Sequence, residues 1–560
     1  MRRLLLLVCF VLGSWATSIS SREAANASEA FITSVTLASN GLSYYALIAL
    51  GDINFRVSLD TASADLWILA SSCSTSACQT VPRYPLTYQS ATFQAVSENT
   101  TEFFAQYADG TAVTGFVGKE SLHFSNLTIP SQAFALITDS NVTLTDDISG
   151  ILGLGFPRIS TINGTYTNST PFFPGLAQQG LLQYPLFGLS LNRNSTGTLS
   201  LGAIDSSVVT NLSNVEWNPV VDFSPFSNES SVASYYQWAI PLTNVAVNGT
   251  SIALSPSYPA VTANHSIAMF DVGTPGIYGP WADVSKLFAT FTSARLVDET
   301  AGQWAVPCDS AVTLSFTFGQ RNFTLQPSDY LIGETSGDPG LCLAWPVAVD
   351  PSPDGIDWQF GTPFMRTVYT IFSYGIDTLE PPVIGLYPLS NITTPESTSV
   401  INSFLASASE VVGTTLPNSL LITPTPTTPA YSLNTSIPAA TGAIVQTALA
   451  NSTYSPIFGA VTAIPDSATL NLSAIPLITP SPTVATYTVT NSAGMISTSV
   501  SHISVPSIVL GVPPGWSNAG IAVRAPAFVS LLLSVALPSL LSLLLPWTIR
   551  IMNIAHLVVV

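Results

Sequence analysis

The chain has 560 residues, enough for several domains, and carries 14 Lys plus Arg against 32 Asp plus Glu, a net charge of −18. With no cluster of basic residues it excludes nucleic acid as a partner, because phosphate backbones are bound through grouped Lys and Arg. Its low charged fraction, 8%, with many Ser, Thr and Asn, suits a secreted protein made soluble by sugars rather than a cytosolic one.

Taken in chain order, Arg2 and Arg3 precede an apolar stretch over 4–12 and the small residues Ser14 and Ala16, the pattern of a secretory signal peptide, placed at 1–18. The stretch is too short to span a bilayer. Cys9 leaves with it, so five cysteines become four, and an even number in an oxidising compartment predicts two disulfides. Three connectivities are possible. Pairing neighbours, Cys73 with Cys78 and Cys308 with Cys342, would put one bridge in each half. Without a CxxC pair, and with only four His, neither a metal site nor a cofactor is expected. Residues 19–32 are polar and read as a short pro-segment or flexible N-terminus.

From about 31 to 389 the chain reads as all-β. Short runs rich in Val, Ile, Phe, Tyr and Thr recur between Gly, Asn, Pro and Ser turns, as at 44–50, 56–59, 112–124, 186–191, 312–318 and 322–325. Two segments that open on Pro, 280–291 and 363–372, read as short helices. Within this region 57–67 spells V-S-L-D-T-A-S-A-D-L-W: an apolar alternation delivers Asp60 to a turn of small and hydroxyl residues. The pattern returns at 267–278, I-A-M-F-D-V-G-T-P-G-I-Y, around Asp271. Two copies of one half-site point to a pair of carboxylates supplied by two related lobes.

Near residue 390 the composition changes. No Lys or Arg occurs from there to 517, and Ser, Thr, Pro, Ala and Asn dominate. Such a stretch buries too little apolar surface of its own to offset chain entropy, so 390–520 is expected to be a glycosylated stalk. Sixteen N-x-S/T sequons run from Asn26 to Asn471 and predict heavy N-glycosylation. Residues 521–560 are apolar. Small residues at 517–520 precede them at the spacing of a GPI signal, with a transmembrane segment carrying Arg550 inside as the alternative.

The motifs together resemble the pepsin-like aspartic proteases over about 40–389. D-T-A-S at 60–63 resembles the first family motif, with Trp67 where the family keeps a Trp behind the flap tyrosine. D-V-G-T at 271–274 resembles the second. Q-Y-A-D-G-T at 106–111 resembles the flap, with Tyr107 as its tyrosine and Gly110 and Thr111 in its turn. G-I-L-G-L-G-F at 150–156 and W-Q-F-G-T-P-F-M-R at 358–366 resemble the segments that pack behind each Asp. The resemblance implies a bilobal all-β fold with an N-terminal lobe at 33–205, a C-terminal lobe at 206–389 and one Asp in each. It places both cysteine pairs where the family has disulfides. It gives Ser63 and Thr274 the task of hydrogen-bonding the Asp carboxyls, with Gly273 leaving room for a backbone approach and Thr61 reaching to the opposite loop.

The function implied is endopeptidase cleavage of polypeptides at acidic pH through a water-activating Asp60–Asp271 dyad, by a monomer held at a membrane through its C-terminus. Four positions depart from the family: Ala62 for Gly, Val272 for a hydroxyl residue, Ala108 in the flap, and Gly361-Thr362 for Gly-Asp. They motivate the alternative of a silent pepsin fold that acts as a surface binding or wall module. Val272 in particular predicts that Thr61, if buried, must find another partner.

Overall fold

The computed structural model describes residues 30–408 apart from 163–169, 194–195, 224–234, 339, 377–378, 391 and 393, and beyond them 416, 420–433, 454–458, 470–480, 484–490, 496–502 and 508–516. The signal peptide and the C-terminal apolar tail lie outside the described residues. Among these, no helix is long and apolar enough to cross a membrane.

Alternation in the sequence becomes alternation in burial. Tyr44, Ala46, Ile48 and Leu50 of strand Tyr44–Leu50 point inward, as do Ile53, Phe55, Val57 and Leu59 of Ile53–Asp60, and the two strands pair antiparallel. Ile53–Asp60 then runs parallel to Ile148–Gly153, with Asp60 opposite Gly153, and Leu66–Leu69 lies antiparallel on the far side. The second half repeats the device. Ser266–Phe270 runs parallel to Trp358–Phe360, which also takes Ile277–Pro280 antiparallel. Each aspartate therefore ends or follows a strand laid against an apolar segment that carries a glycine. A Cβ on Gly153 would sit 2.4 Å from the Ala64 backbone, and one on Gly361 2.0 Å from the Thr274 carbonyl, so only glycine lets the Asp turn close on its neighbour.

The halves are joined by backbone and by core. Leu186–Ser190 pairs with Gly197–Leu201 on one side and with Val368–Ser373 on the other. Val368–Ser373 continues to Val383–Pro388, and that strand to Glu216–Pro219. One apolar core runs from Phe55, Leu59 and Leu152 to Trp238, Phe270, Phe360 and Phe364. The all-β bilobal expectation holds, and the bridges are Cys73–Cys78 and Cys308–Cys342.

Three readings change. The helix expected at 280–291 is Trp281–Phe288, with Pro280 as its N-cap and the end of a strand. At 363–372 only Thr362–Met365 is helical; the β-branched and aromatic run after it forms Val368–Ser373, because two partner strands are waiting for it. Residues 31 and 32, expected in the flexible terminus, open strand Phe31–Leu37.

Several described parts of 390–520 also differ from a stalk, since they lie on the lobes. Ser328 donates from N and Oγ to Glu396 (3.0 and 2.6 Å), ahead of helix Thr398–Ala408. Leu477–Ile478 adds a parallel strand to Ile204–Asp205. Ile457 and Phe458 donate backbone N–H groups to the buried Glu380 carboxylate (2.7 and 2.6 Å), and Phe458 packs on Trp217 with ring centroids 4.5 Å apart. Gly511 N–H reaches Asn54 O at 2.9 Å. A further hairpin pairs Val484–Thr490 with Ile496–His502.

Candidate active site

Asp60 stands at the end of its strand and Asp271 one residue past the corresponding strand, both almost fully buried at 7% and 6% exposure. Each carboxyl sits in a frame supplied mainly by its own turn, with Thr61 of the Asp60 turn also reaching Asp271. Asp60 Oδ1 accepts the N–H groups of Ala62 (2.8 Å) and Ser63 (3.0 Å), and Oδ2 accepts the Ser63 hydroxyl (2.8 Å). Asp271 Oδ1 accepts the N–H groups of Gly273 (2.9 Å) and Thr61 (3.2 Å), and Oδ2 accepts the Thr274 hydroxyl (2.7 Å). The frames are near copies because the two turns are near copies.

The two carboxyls face one another. A Cβ on Gly273 would lie 3.2 Å from Asp60 Cγ and 3.3 and 3.4 Å from the oxygens of Asp271, so both groups border the same point and Gly273 keeps it open. Burial, followed by the charge of Asp271, pushes the Asp60 carboxyl well above the ordinary carboxylate range. Two buried acids this close hold one proton between them more readily than they hold two charges.

Thr61 crosses between the loops as anticipated, but not to a side-chain hydroxyl. Its Oγ1 is fully buried, accepts the Val272 N–H (3.0 Å) and donates to the Phe270 carbonyl (3.0 Å), with Asp271 Oδ1 at 3.2 Å. The hydroxyl lost at Val272 thus leaves no orphan, because the backbone takes over its part. Ala62 likewise accommodates its methyl: the N–H keeps its bond to Asp60, and the side chain joins an apolar cluster with Met269 and Ile356.

Above the pair, the hairpin of Glu102–Gln106 and Ala112–Phe124 turns through Tyr107–Thr111. Tyr107 N–H bonds Thr111 O (2.8 Å), Gly110 takes φ +81°, and Asp109 Oδ1 accepts both N–H and Oγ1 of Thr111. Trp67 Nε1 donates to the Tyr107 hydroxyl at 2.6 Å. Burial, reinforced by the Asp60 charge, drives the Tyr107 hydroxyl far above its ordinary value, so it stays a neutral donor. Tyr107, Thr111, Trp67, Ser63, Gly273, Thr274 and both aspartates line one cleft of about 680 Å³. The structure thus brings together the site residues expected from sequence, with Thr61 buried behind the cleft and Gly110 in the flap turn outside its lining; the four cysteines lie apart, in their bridges.

Others were not foreseen. Asp65 lines the cleft, nearly buried, and accepts Ser160 Oγ (2.5 Å) and Thr161 N–H (2.7 Å); burial raises its carboxyl. Its place within A-D-L-W was the available signal. Tyr236, Met269, Asp354, Ile356 and Gln359 complete the C-terminal wall, contributed by separate segments with no shared pattern. Among the described residues no group of three His, Cys, Asp or Glu side chains is placed to hold a metal ion.

Comparison with known proteins follows the same outline. The family model of eukaryotic aspartyl proteases matches residues 43–380. The chain is 30% identical over 334 residues to an aspartic protease of Phaffia rhodozyma, covering 59% of this chain and 73% of that one. It is 27% identical over 391 residues to major aspartyl peptidase 1 of Cryptococcus neoformans var. grubii (66% and 74%), and 28% over 357 residues to pepsin A of Bos taurus (62% and 84%).

Proposed function

Because the chain belongs to the eukaryotic aspartyl protease family and is an aspartic-type endopeptidase, we propose that Asp60 and Asp271 perform its hydrolysis as a proton-sharing dyad. The aspartic proteases are the standing example of this chemistry. The protonated carboxyl polarises the scissile carbonyl, the ionised one takes a proton from the attacking water, and no acyl-enzyme forms. Small residues let backbone N–H groups hold each carboxyl at a fixed angle, and Ser63 and Thr274 hold the outer oxygens. Tyr107, oriented by Trp67, closes over the bound peptide and keeps water out.

The observation that carries this reading is the matched pair of hydrogen-bond frames around two carboxyls that border a single point. The test is a peptide library at pH 3–6 with the wild type, Asp60→Asn and Asp271→Asn. Each substitution lowers kcat by at least about a thousandfold. Wild-type turnover in either variant would end the dyad reading.

The enzyme is further read as secreted, N-glycosylated and tethered at the cell surface through its C-terminal apolar segment by a GPI anchor. The sequon asparagines among the described residues, Asn99, Asn126, Asn141, Asn211, Asn248, Asn264, Asn322 and Asn471, are all exposed and open to glycan attachment. Release from membranes by a phosphatidylinositol-specific phospholipase supports the anchor, and full retention favours a membrane span.

A further inference from the structure

The cleft wall of the C-terminal half is supported partly from outside that half. Asp354 and Ile356 line the cleft from the loop over 351–357. Asp357 fixes one end of this loop by accepting the N–H of Ser257 (3.1 Å) and of Ile267 (3.4 Å). Its other side is held by residues 431–433, well past the last strand of the lobe at Val383–Pro388. Ser432 N–H donates to Pro353 O at 2.9 Å. The Tyr431 ring packs edge-on against Tyr258, with centroids 5.6 Å apart, and lies so close to Gly355 that a Cβ there would stand 3.3 Å from the ring. Gly355 has φ +90°, so the loop bends where the ring approaches.

Leu433 goes deeper. It is 8% exposed and packs in one cluster with Phe223, Met269 and Ile356, and Ala62, Tyr236 and Tyr431 pack against that cluster. Met269, Ile356, Tyr236 and Ala62 all line the cleft. Leu433 therefore backs the apolar wall beside Asp60, and the methyl of Ala62, the departure nearest the dyad, faces the same patch. A wall of this kind keeps its shape only while it is supported from behind, because a void behind packed side chains lets them relax into it.

We propose that Tyr431, Ser432 and Leu433 are positioning residues of the substrate cleft: this segment of the C-terminal extension shapes the apolar subsite formed by Ala62, Tyr236, Met269 and Ile356, which takes a large apolar side chain of the peptide. The inference rests on the protease reading of the cleft, but concerns which peptides it selects rather than how it cuts them. The segment meets the surroundings of the dyad through the cluster shared with Ala62.

The experiment uses the full chain carrying Leu433→Ala, Leu433→Met, Tyr431→Ala or Tyr431→Phe, with thermal melting as the folding control. The probes are peptides with a reduced, uncleavable central bond in which each position is changed in turn from Phe to Gly, with binding measured by calorimetry. Leu433→Ala and Tyr431→Ala weaken binding about fivefold or more for peptides with Phe at one particular position, and leave the Gly peptide at that position within about twofold. On the cleavable versions KM rises in step while kcat holds. Leu433→Met and Tyr431→Phe restore the preference. A uniform loss across all peptides, or an unchanged preference in a folded Ala variant, overturns the proposal. Because binding is read without turnover, failure of the dyad would appear separately, as equal cleavage by wild type and Asp60→Asn.

Discussion

At the residue scale, the two departures nearest the dyad have different physical consequences. Val272 is fully buried in the main core and its side chain replaces a hydroxyl, yet the polar account at Thr61 closes through the Val272 N–H and the Phe270 carbonyl. The sequence exposed the need for a substitute partner and could not name it, because a backbone N–H carries no side-chain signal. The two aspartate turns were readable, since an apolar strand ending in Asp and small hydroxyl residues is a local pattern that occurs twice. The expected outcome for Thr61→Val follows: it strands the Val272 N–H in a buried place, at about 1–3 kcal/mol. It also removes a bond that steadies the loop around Asp271, so kcat falls about tenfold or more while KM changes little. Steady-state kinetics with a melting curve checks both. Ala62→Gly, by contrast, keeps kcat within about threefold and costs on the order of 0.5–1 kcal/mol, because the turn keeps its N–H bond to the Asp60 carboxyl while the change adds backbone freedom and takes one methyl from the cluster with Met269 and Ile356.

At the scale of elements, the strands with clean alternation were found where expected, with 44–50 and 112–124 matching Tyr44–Leu50 and Ala112–Phe124 to the residue. The segment after Pro363 misled because a proline-led apolar run of that length suits a helix or a strand equally, and the choice is made by the neighbours Leu186–Ser190 and Val383–Pro388. The glycines behind the aspartates show the same dependence on a partner. Gly361→Ala places its methyl 2.0 Å from the Thr274 carbonyl. The expected result is a loss of more than about 3 kcal/mol or failure to fold, read by yield and by denaturant midpoint. Gly340→Ala, whose Cβ comes no closer than 3.3 Å to a side-chain oxygen of Asp338, is the milder control.

For the whole molecule, buried acids set the pH range. Burial pushes Asp329 and Asp357 up to about 6 each, and Asp60, Asp65 and Asp354 rise for the same first reason. In the unfolded chain these groups lose their protons near about 4. Each therefore binds its proton more tightly in the fold, so stability is full below that value and declines as the pH climbs through about 6. Net charge of −18 at neutrality adds self-repulsion in the same direction. Melting temperature falls on the order of 5 °C or more between pH 4 and pH 7; a flat or rising profile would contradict the burial of these groups. The extension beyond 390 was the least readable part of the chain. The anchors Tyr431, Leu433, Ile457, Phe458 and Ile475 are scattered without a period, and they pack against apolar residues of the lobes.

The pairing of Leu477–Ile478 with Ile204–Asp205 also has a consequence in time. A chain emerging from the ribosome at roughly 5–20 residues per second presents Ile204 and Asp205 long before their partner strand exists, an interval of roughly 15–60 s. Through that interval the face formed by Tyr184, Ile204, Val209 and Trp217, later covered by Ile457, Phe458 and Ile475, stands bare. The nascent protein thus spends up to about its first minute with an oily underside, which stays bare until the last fifth of the chain arrives.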